Sequence, residues 1–234
     1  MLIKGNNITA YFGSKSDDLQ RNGIYENSHF KKLSEKIAVD RLFFLKQTHS
    51  KSVFYLDKMP KKSMTLFEIE GDAIITQQKN IGIGVVTADC VPLFIVDTKN
   101  DAIAAIHAGW KGLSLNIITE TVDKMQLNFG TDLHDLKVFI GPSADVCCYE
   151  VKPDFLEYFD DTLVDTKIVE SRDGKIYFHP KKAALIELQK TGFSLSQIDD
   201  SNHRCTICHN DFCSVRREKN KAGRQPSVIY LSVA

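Results

Sequence analysis

Three side chains with metal-binding or nucleophilic donor atoms stand at or beside apolar runs of this 234-residue chain. They are His49 in Gln47-Thr-His-Ser50, Cys90 in Thr87-Ala-Asp-Cys-Val-Pro92 and His107 in His107-Ala-Gly-Trp-Lys-Gly112. Two imidazoles and a thiol from separate segments suit a catalytic zinc, which takes three protein ligands and keeps a fourth position for water or substrate. The same residues suit a cysteine nucleophile with its histidine base, as in a hydrolase or deamidase. They also suit a buried thiol beside two hydrogen-bonded core histidines, and residue types alone leave all three readings open. Asp72, after Gly71, could hydrogen-bond a ligand or hold a metal-binding side chain in place, or simply satisfy a turn. Gly109 and Gly112, flanking Trp110 and Lys111, allow close approach of backbone to a ligand.

The elements that must position these residues are legible as apolar runs. Gly84 to Asp97 and Ala102 to Gly112 contain two β-branched stretches that read as buried strands, with a turn at Asp101 short enough for a hairpin. One delivers Cys90 and the other ends at His107. Leu42 to Leu45 reads as a strand leading to His49, with further strands at Ile8–Phe12, Val53–Leu56, 71–76, Leu136–Ile140, Tyr177–Phe178 and Ser227–Val233. Helices are predicted at Ser28–Val39, Leu113–Leu127, Pro153–Phe159 and Pro180–Thr191, from apolar residues at helical spacing. Residues 13–23 and Lys58–Lys62 read as polar loops. Strands from both ends bracket the helices, which points to one α+β domain with a mixed sheet.

The whole composition narrows the classes. Lysine plus arginine number 30, as do aspartate plus glutamate, so no global field advertises nucleic acid or a membrane as partner. The first seven residues hold no apolar signal core, and no run reaches spanning length. A cytoplasmic protein is therefore expected, its six cysteines reduced or metal-bound. Adjacent Cys147 and Cys148 would point apart in extended backbone, and they read as two buried thiols.

The C-terminal region contains a decoy. Cys205-Thr-Ile-Cys-His209 matches covalent haem attachment and half of a zinc ribbon. Haem attachment requires export, and a ribbon requires a second C-x-x-C pair where only Cys213 is near in sequence. Neither haem nor zinc is expected at Cys205, Cys208 and His209. Arg216, Arg217 and Arg224 flank turn residues and could form either an anion pocket or surface ion pairs.

Taken in order, Gln47–Ser50, Gly71-Asp-Ala73, Thr87–Pro92, His107–Gly112, Ile140-Gly-Pro142 with Cys147–Val151, and Cys205-Thr206 with Phe212-x-Ser-x-Arg-Arg217 and Gly223-Arg224 form a recognisable series. They resemble the laccase-domain family, also called polyphenol oxidase or peptidoglycan editing factor, over about residue 45 to the end. The resemblance implies a mixed α+β sandwich with flanking helices, similar to the cytotoxic necrotizing factor hydrolases, with residues 1–234 as one domain. It implies zinc on His49, Cys90 and His107. The implied reactions are phosphorolysis of purine nucleosides (adenosine, inosine, methylthioadenosine) and hydrolytic deamination of adenosine. Asp72 and Asp89 then become candidates for holding ligands or moving protons, and Lys111, Arg216 and Arg217 for binding the anion. The expected partners are small: a purine nucleoside and phosphate, on a monomer or weak homodimer.

The chain departs from the family pattern in several places. The first forty residues lack its usual signature, and Ser143-Ala-Asp-Val146 stands where Ala-Ile-Gly-Pro is usual. Val215 replaces an aromatic residue or histidine, while His179 and Ala184 replace Asp and Asn. Copper is the alternative metal, since it outcompetes zinc at most N/S sites. A multicopper laccase needs imidazoles for most of its copper ligands, and this chain has seven histidines and no H-x-H pair. Two other readings remain: a metal-free cysteine amidase editing peptidoglycan precursors through Cys90 and His107, and a zinc-stabilised interaction protein without catalysis.

Overall fold

Strands whose residues are apolar on both faces must be covered on both faces, and the longest buried runs of this chain are handled that way. The computed structural model describes residues 1–5, 7–21, 24–159 and 168–233. In chain order it begins with β1 (Leu2–Gly5), β2 (Ile8–Phe12), a small hairpin of β3 (Gln20–Arg21) and β4 (Ile24–Tyr25), and helix α1 (Asn27–Ile37). Then come β5 (Leu42–Lys46), β6 (Val53–Leu56), β7 (Met64–Glu70), β8 (Ala73–Thr76), β9 (Gly82–Thr87), β10 (Val91–Asp97) and β11 (Ala102–Ala108). Helices α2 (Trp110–Ser114) and α3 (Ile117–Phe129) precede β12 (Leu136–Ile140), and β13 (Glu150–Val151), β14 (Val169–Arg172) and β15 (Lys175–Phe178) form a small sheet. A helix at Pro180–Thr191, β16 (Ile198–Asp199), a short helix at Val215–Glu218 and β17 (Gln225–Leu231) complete the order.

Two six-stranded mixed sheets result, ordered β1-β2-β17-β9-β5-β7 and β16-β12-β10-β11-β8-β6. Phe12, Phe43, Ile83 and Ile229 of the first meet Ile74, Phe94, Val96 and Ile103 of the second in one apolar layer. α1 covers the outer face of the first sheet through Phe30, Leu33 and Ile37. α3 and the Pro180–Thr191 helix cover the outer face of the second through Ile118, Val122, Ala184 and Leu188. The mixed α+β sandwich with flanking helices is thus the observed fold.

The β10–β11 hairpin forms as predicted, with Val91 opposite Ala108 and Pro92 opposite His107. Two expectations need correction. Leu113–Leu127 is not one helix: Asn116 takes a left-handed φ of 60°, which separates α2 from α3. Residues 13–23 hold a helical turn and a strand, β3, and positions 22 and 23 lie outside the described residues. β7 escapes the sequence reading because it lies at a sheet edge, with three of its seven residues exposed.

Candidate metal centre and cleft

Three connections, β5 to β6, β7 to β8 and β9 to β10, each pass from the first sheet to the second. They carry His49, Asp72 and Cys90 in turn, and the last turn of β11 adds His107. The ligand atoms of His49, Cys90 and His107 all lie within 4.8 Å of one another. His49 Nε2 is 3.8 Å from Cys90 Sγ, and the two imidazole rings meet edge to face at 4.8 Å.

Asp72 organises this meeting. Its carboxylate accepts hydrogen bonds from the backbone N–H of Thr48, His49 and Ser50 at 3.2, 3.0 and 2.7 Å and from the Ser50 hydroxyl at 2.8 Å. It also faces His107 Nδ1 at 2.8 Å. Asp72 thus closes the 47–50 loop and holds the His107 ring in one orientation. With Nδ1 engaged, Nε2 of His107 is the ring nitrogen left for a metal or a proton. Gln47 adds a second tie, its amide exchanging hydrogen bonds of 2.8 and 2.7 Å with the backbone of Val86 on β9. Nothing in the sequence singles out that side chain beyond its place beside His49. Gly109 is required: a Cβ there would sit 2.9 Å from His49 Cδ2 and 3.2 Å from Cys90 Sγ. The close approach at this glycine is to the His49 and Cys90 side chains.

The electrostatics follow from burial and neighbours. Burial alone would raise the Cys90 thiol, but the charge and hydrogen bond of His107, aided by His49, bring it down to about 6. Burial would lower His107, yet the Cys90 thiolate and the Asp72 carboxylate raise it to about 9. Asp72, although buried, is held well below the ordinary carboxylate range by His107 and the loop N–H groups. Two nitrogens and a readily formed thiolate are a donor set that fits zinc, and the arrangement fits a metal better than an inert core.

His49, Cys90 and His107 stand in a cleft of about 660 Å³, whose other lining residues include Tyr25, Trp110, Tyr149, Arg216 and Arg224. The predicted polar residues divide. Asp89, at a left-handed φ of 98°, accepts from Thr206 Oγ1 at 2.7 Å and from the Arg216 backbone N–H at 2.8 Å, so it ties loops together. Arg216 lies over the Tyr149 ring at 4.4 Å and donates Nη1 to the Glu150 carbonyl at 2.8 Å. Arg224 lines the cleft while donating to the Gly223 carbonyl at 2.8 Å. Arg217 is committed elsewhere: its guanidinium donates to the carbonyls of Thr206, Ile207, His209 and Phe212. Lys111 lies over the Trp110 ring at 5.5 Å. Tyr149, unremarked in the sequence beyond its motif, is a wall of the cleft. Burial and the Cys90 charge push its phenol up to about 12, so it stays a hydrogen-bond donor.

Two departures from the family pattern meet in space. His179 Nδ1 lies 2.8 Å from Asp145, so the unusual acid and the unusual histidine pair with each other. The vicinal cysteines require a correction. Residues 145–149 form a tight turn, with the N–H groups of Cys148 and Tyr149 both bonded to the Asp145 carbonyl at 3.0 and 2.9 Å. In that turn neither thiol is fully buried, and both face Cys208.

A family model described as multi-copper polyphenol oxidoreductase laccase matches residues 8–232. The chain is 36% identical over 202 residues to a purine nucleoside phosphorylase of Aquifex aeolicus, covering 86% of this chain and 87% of that one. It is 32% identical over 203 residues to adenosine deaminase RL5 of an unknown prokaryotic organism, covering 83% and 76%. Its fold is similar to that of hypothetical protein YfiH of Bacillus licheniformis, with a TM-score of 0.83, 24% identity and coverage of 96% and 93%.

Proposed function

Because the chain belongs to the multi-copper polyphenol oxidoreductase laccase family, we propose that it is a zinc-dependent phosphorylase of purine nucleosides working in the cytoplasm. The observation that carries this reading is the convergence of His49, Cys90 and His107 in a cleft walled by aromatic rings and two arginines. Zinc held by these three residues would supply a Lewis acid to the cleft. The rest falls to the chain itself. Asp72 keeps His107 Nδ1 engaged and the His49 loop closed, so the His107 ring and the His49 backbone are preset. Trp110, partly exposed in the cleft, offers an apolar ring against which a purine can pack. Arg216 and Arg224 bring positive charge to the same space, as a phosphate reactant needs. In phosphorolysis the C1′–N9 bond breaks, a phosphate oxygen bonds to C1′, and the purine leaves carrying the bonding pair.

Base release from inosine should then require phosphate and yield ribose 1-phosphate. Arg216→Ala should raise the KM for phosphate on the order of ten- to a hundredfold, the loss of one charge-assisted hydrogen bond, and move the nucleoside KM far less. Phosphate-independent base release would replace the phosphorylase by a hydrolase. No attack on any purine nucleoside by zinc-loaded protein would end the nucleoside reading. Adenosine deamination is a second activity to assay, supported by the relative of that name. The low Cys90 thiol favours one competing reading, a metal-free cysteine amidase on peptidoglycan precursors. A chelator that abolishes turnover excludes it.

A further inference from the structure

Four thiols converge outside the cleft. Cys147, Cys148, Cys205 and Cys208 have their Sγ atoms all within 4.8 Å of one another. Cys208 Sγ is 2.8 Å from that of Cys148 and 3.2 Å from that of Cys147. The second pair that Cys205-x-x-Cys208 lacks in its own neighbourhood arrives from a turn about sixty residues earlier. We propose that these four cysteines bind a second metal ion, a thiophilic cation of tetrahedral preference such as zinc, as an all-thiolate site.

Geometry, charge and connectivity converge on it. The edge of a zinc tetrathiolate tetrahedron is about 3.8 Å, from a bond of about 2.3 Å. The separations of 2.8 and 3.2 Å at Cys208 are shorter than that edge and all four sulfurs lie within 4.8 Å of one another, so moving the side chains apart around an ion completes the site. A tetrathiolate with one divalent ion carries two net negative charges, and two guanidiniums stand at the turns that supply the ligands. Arg172 donates to the carbonyls of Val146 and Cys147 at 2.8 and 3.1 Å. Arg217 donates to the carbonyls of Thr206, Ile207 and His209, enclosing the Cys205–Cys208 loop. This gives Arg217 a role that the nucleoside site does not. A single disulfide would leave two of the four thiols unused and would need an oxidant.

The site would staple one wall of the cleft. Ser143 N–H donates to the Arg204 carbonyl at 3.2 Å and Thr206 N–H to the Ser143 carbonyl at 2.9 Å, so the two turns already touch. Tyr149 follows Cys148 directly, and Thr206 and Arg216 are both held by Asp89. A metal joining the turns would therefore fix Tyr149 and Arg216 relative to Cys90.

The test is metal content of the full chain purified under reductant. Wild type should hold about two zinc ions per chain, and His49→Ala/His107→Ala about one. Zinc-edge X-ray absorption of that double variant should give four sulfur ligands near a distance of about 2.3 Å. Cys205→Ser/Cys208→Ser should lose one equivalent and keep the cleft metal; if it does not fold, the histidine variant and its absorption spectrum still decide. A zinc-free histidine variant with all its thiols titratable would overturn the site, as would nitrogen or oxygen ligands in its spectrum. A Cys–Cys crosslink found by mass spectrometry in place of metal would overturn it in favour of a disulfide. One all-sulfur zinc in wild type, with none in the cleft, would uphold this site while removing the zinc from the proposed phosphorylase.

Discussion

Asp72 is the residue on which the cleft depends most, although it need touch no substrate. Its carboxylate is buried, 1% exposed, and engages the 48–50 loop and His107 together. Asp72→Asn preserves its size but removes the charge that sets the His107 ring and trades an acceptor for a donor. Zinc affinity should fall on the order of 10- to 100-fold. Competition with a chromophoric chelator, at a temperature where circular dichroism shows the variant folded, measures the loss. Unchanged affinity would reduce Asp72 to a turn residue. Asp89 is its counterpart on the next crossing, spending both oxygens on Thr206 and Arg216.

Between elements, a side chain on one helix does what another helix cannot do for itself. α3 starts at Asn116, whose side chain makes no capping bond. Glu187, on the Pro180–Thr191 helix, accepts from the N–H groups of Ile118 and Thr119 at 2.7 and 3.0 Å instead. Those bonds favour the carboxylate, but burial outweighs them and Glu187 is raised to about 7, its other oxygen without a partner among the described residues. The folded state therefore holds this proton more tightly than the unfolded chain. The associated stability is complete below about pH 4.5 and is lost as pH rises through about 7. The total is at most about 3 kcal/mol. Urea midpoints of wild type minus those of Glu187→Gln, taken from pH 5 to pH 8, should fall with rising pH. A flat difference would mean that Glu187 is ionised throughout.

Across the whole molecule, the four layers supply the stability and the connections supply the chemistry. Phe12 and Phe94 are fully buried and stack at 4.7 Å, with an interplanar angle of 21°, where the two sheets meet. Phe94→Ala should cost about 3–5 kcal/mol in denaturant unfolding, since neither sheet can collapse into the space. A loss under about 1 kcal/mol would show that the layers slide together to fill it. No described helix is long and apolar enough to cross a membrane. The family match over residues 8–232 takes in every layer.

The strands around the cleft and the three donor side chains that meet in it are legible in the order of residues alone. β10 and β11 are legible because every one of their residues is apolar or buried, and a turn between such runs leaves few alternatives to a hairpin. His49, Cys90 and His107 are legible because few residue types ligate metals and each follows or ends such a run. Tertiary structure decided the pairings that span long stretches of chain. Tight backbone at 145–149, which the residue types do not announce, turned two apparently divergent thiols toward Cys208. Arg216 and Arg217 are neighbours with the same side chain, yet one lines the cleft and the other organises a distant loop. Successive residues on a short helix point about 100° apart, and only the packing of Val215–Glu218 against Asp89 decides which one faces Cys90.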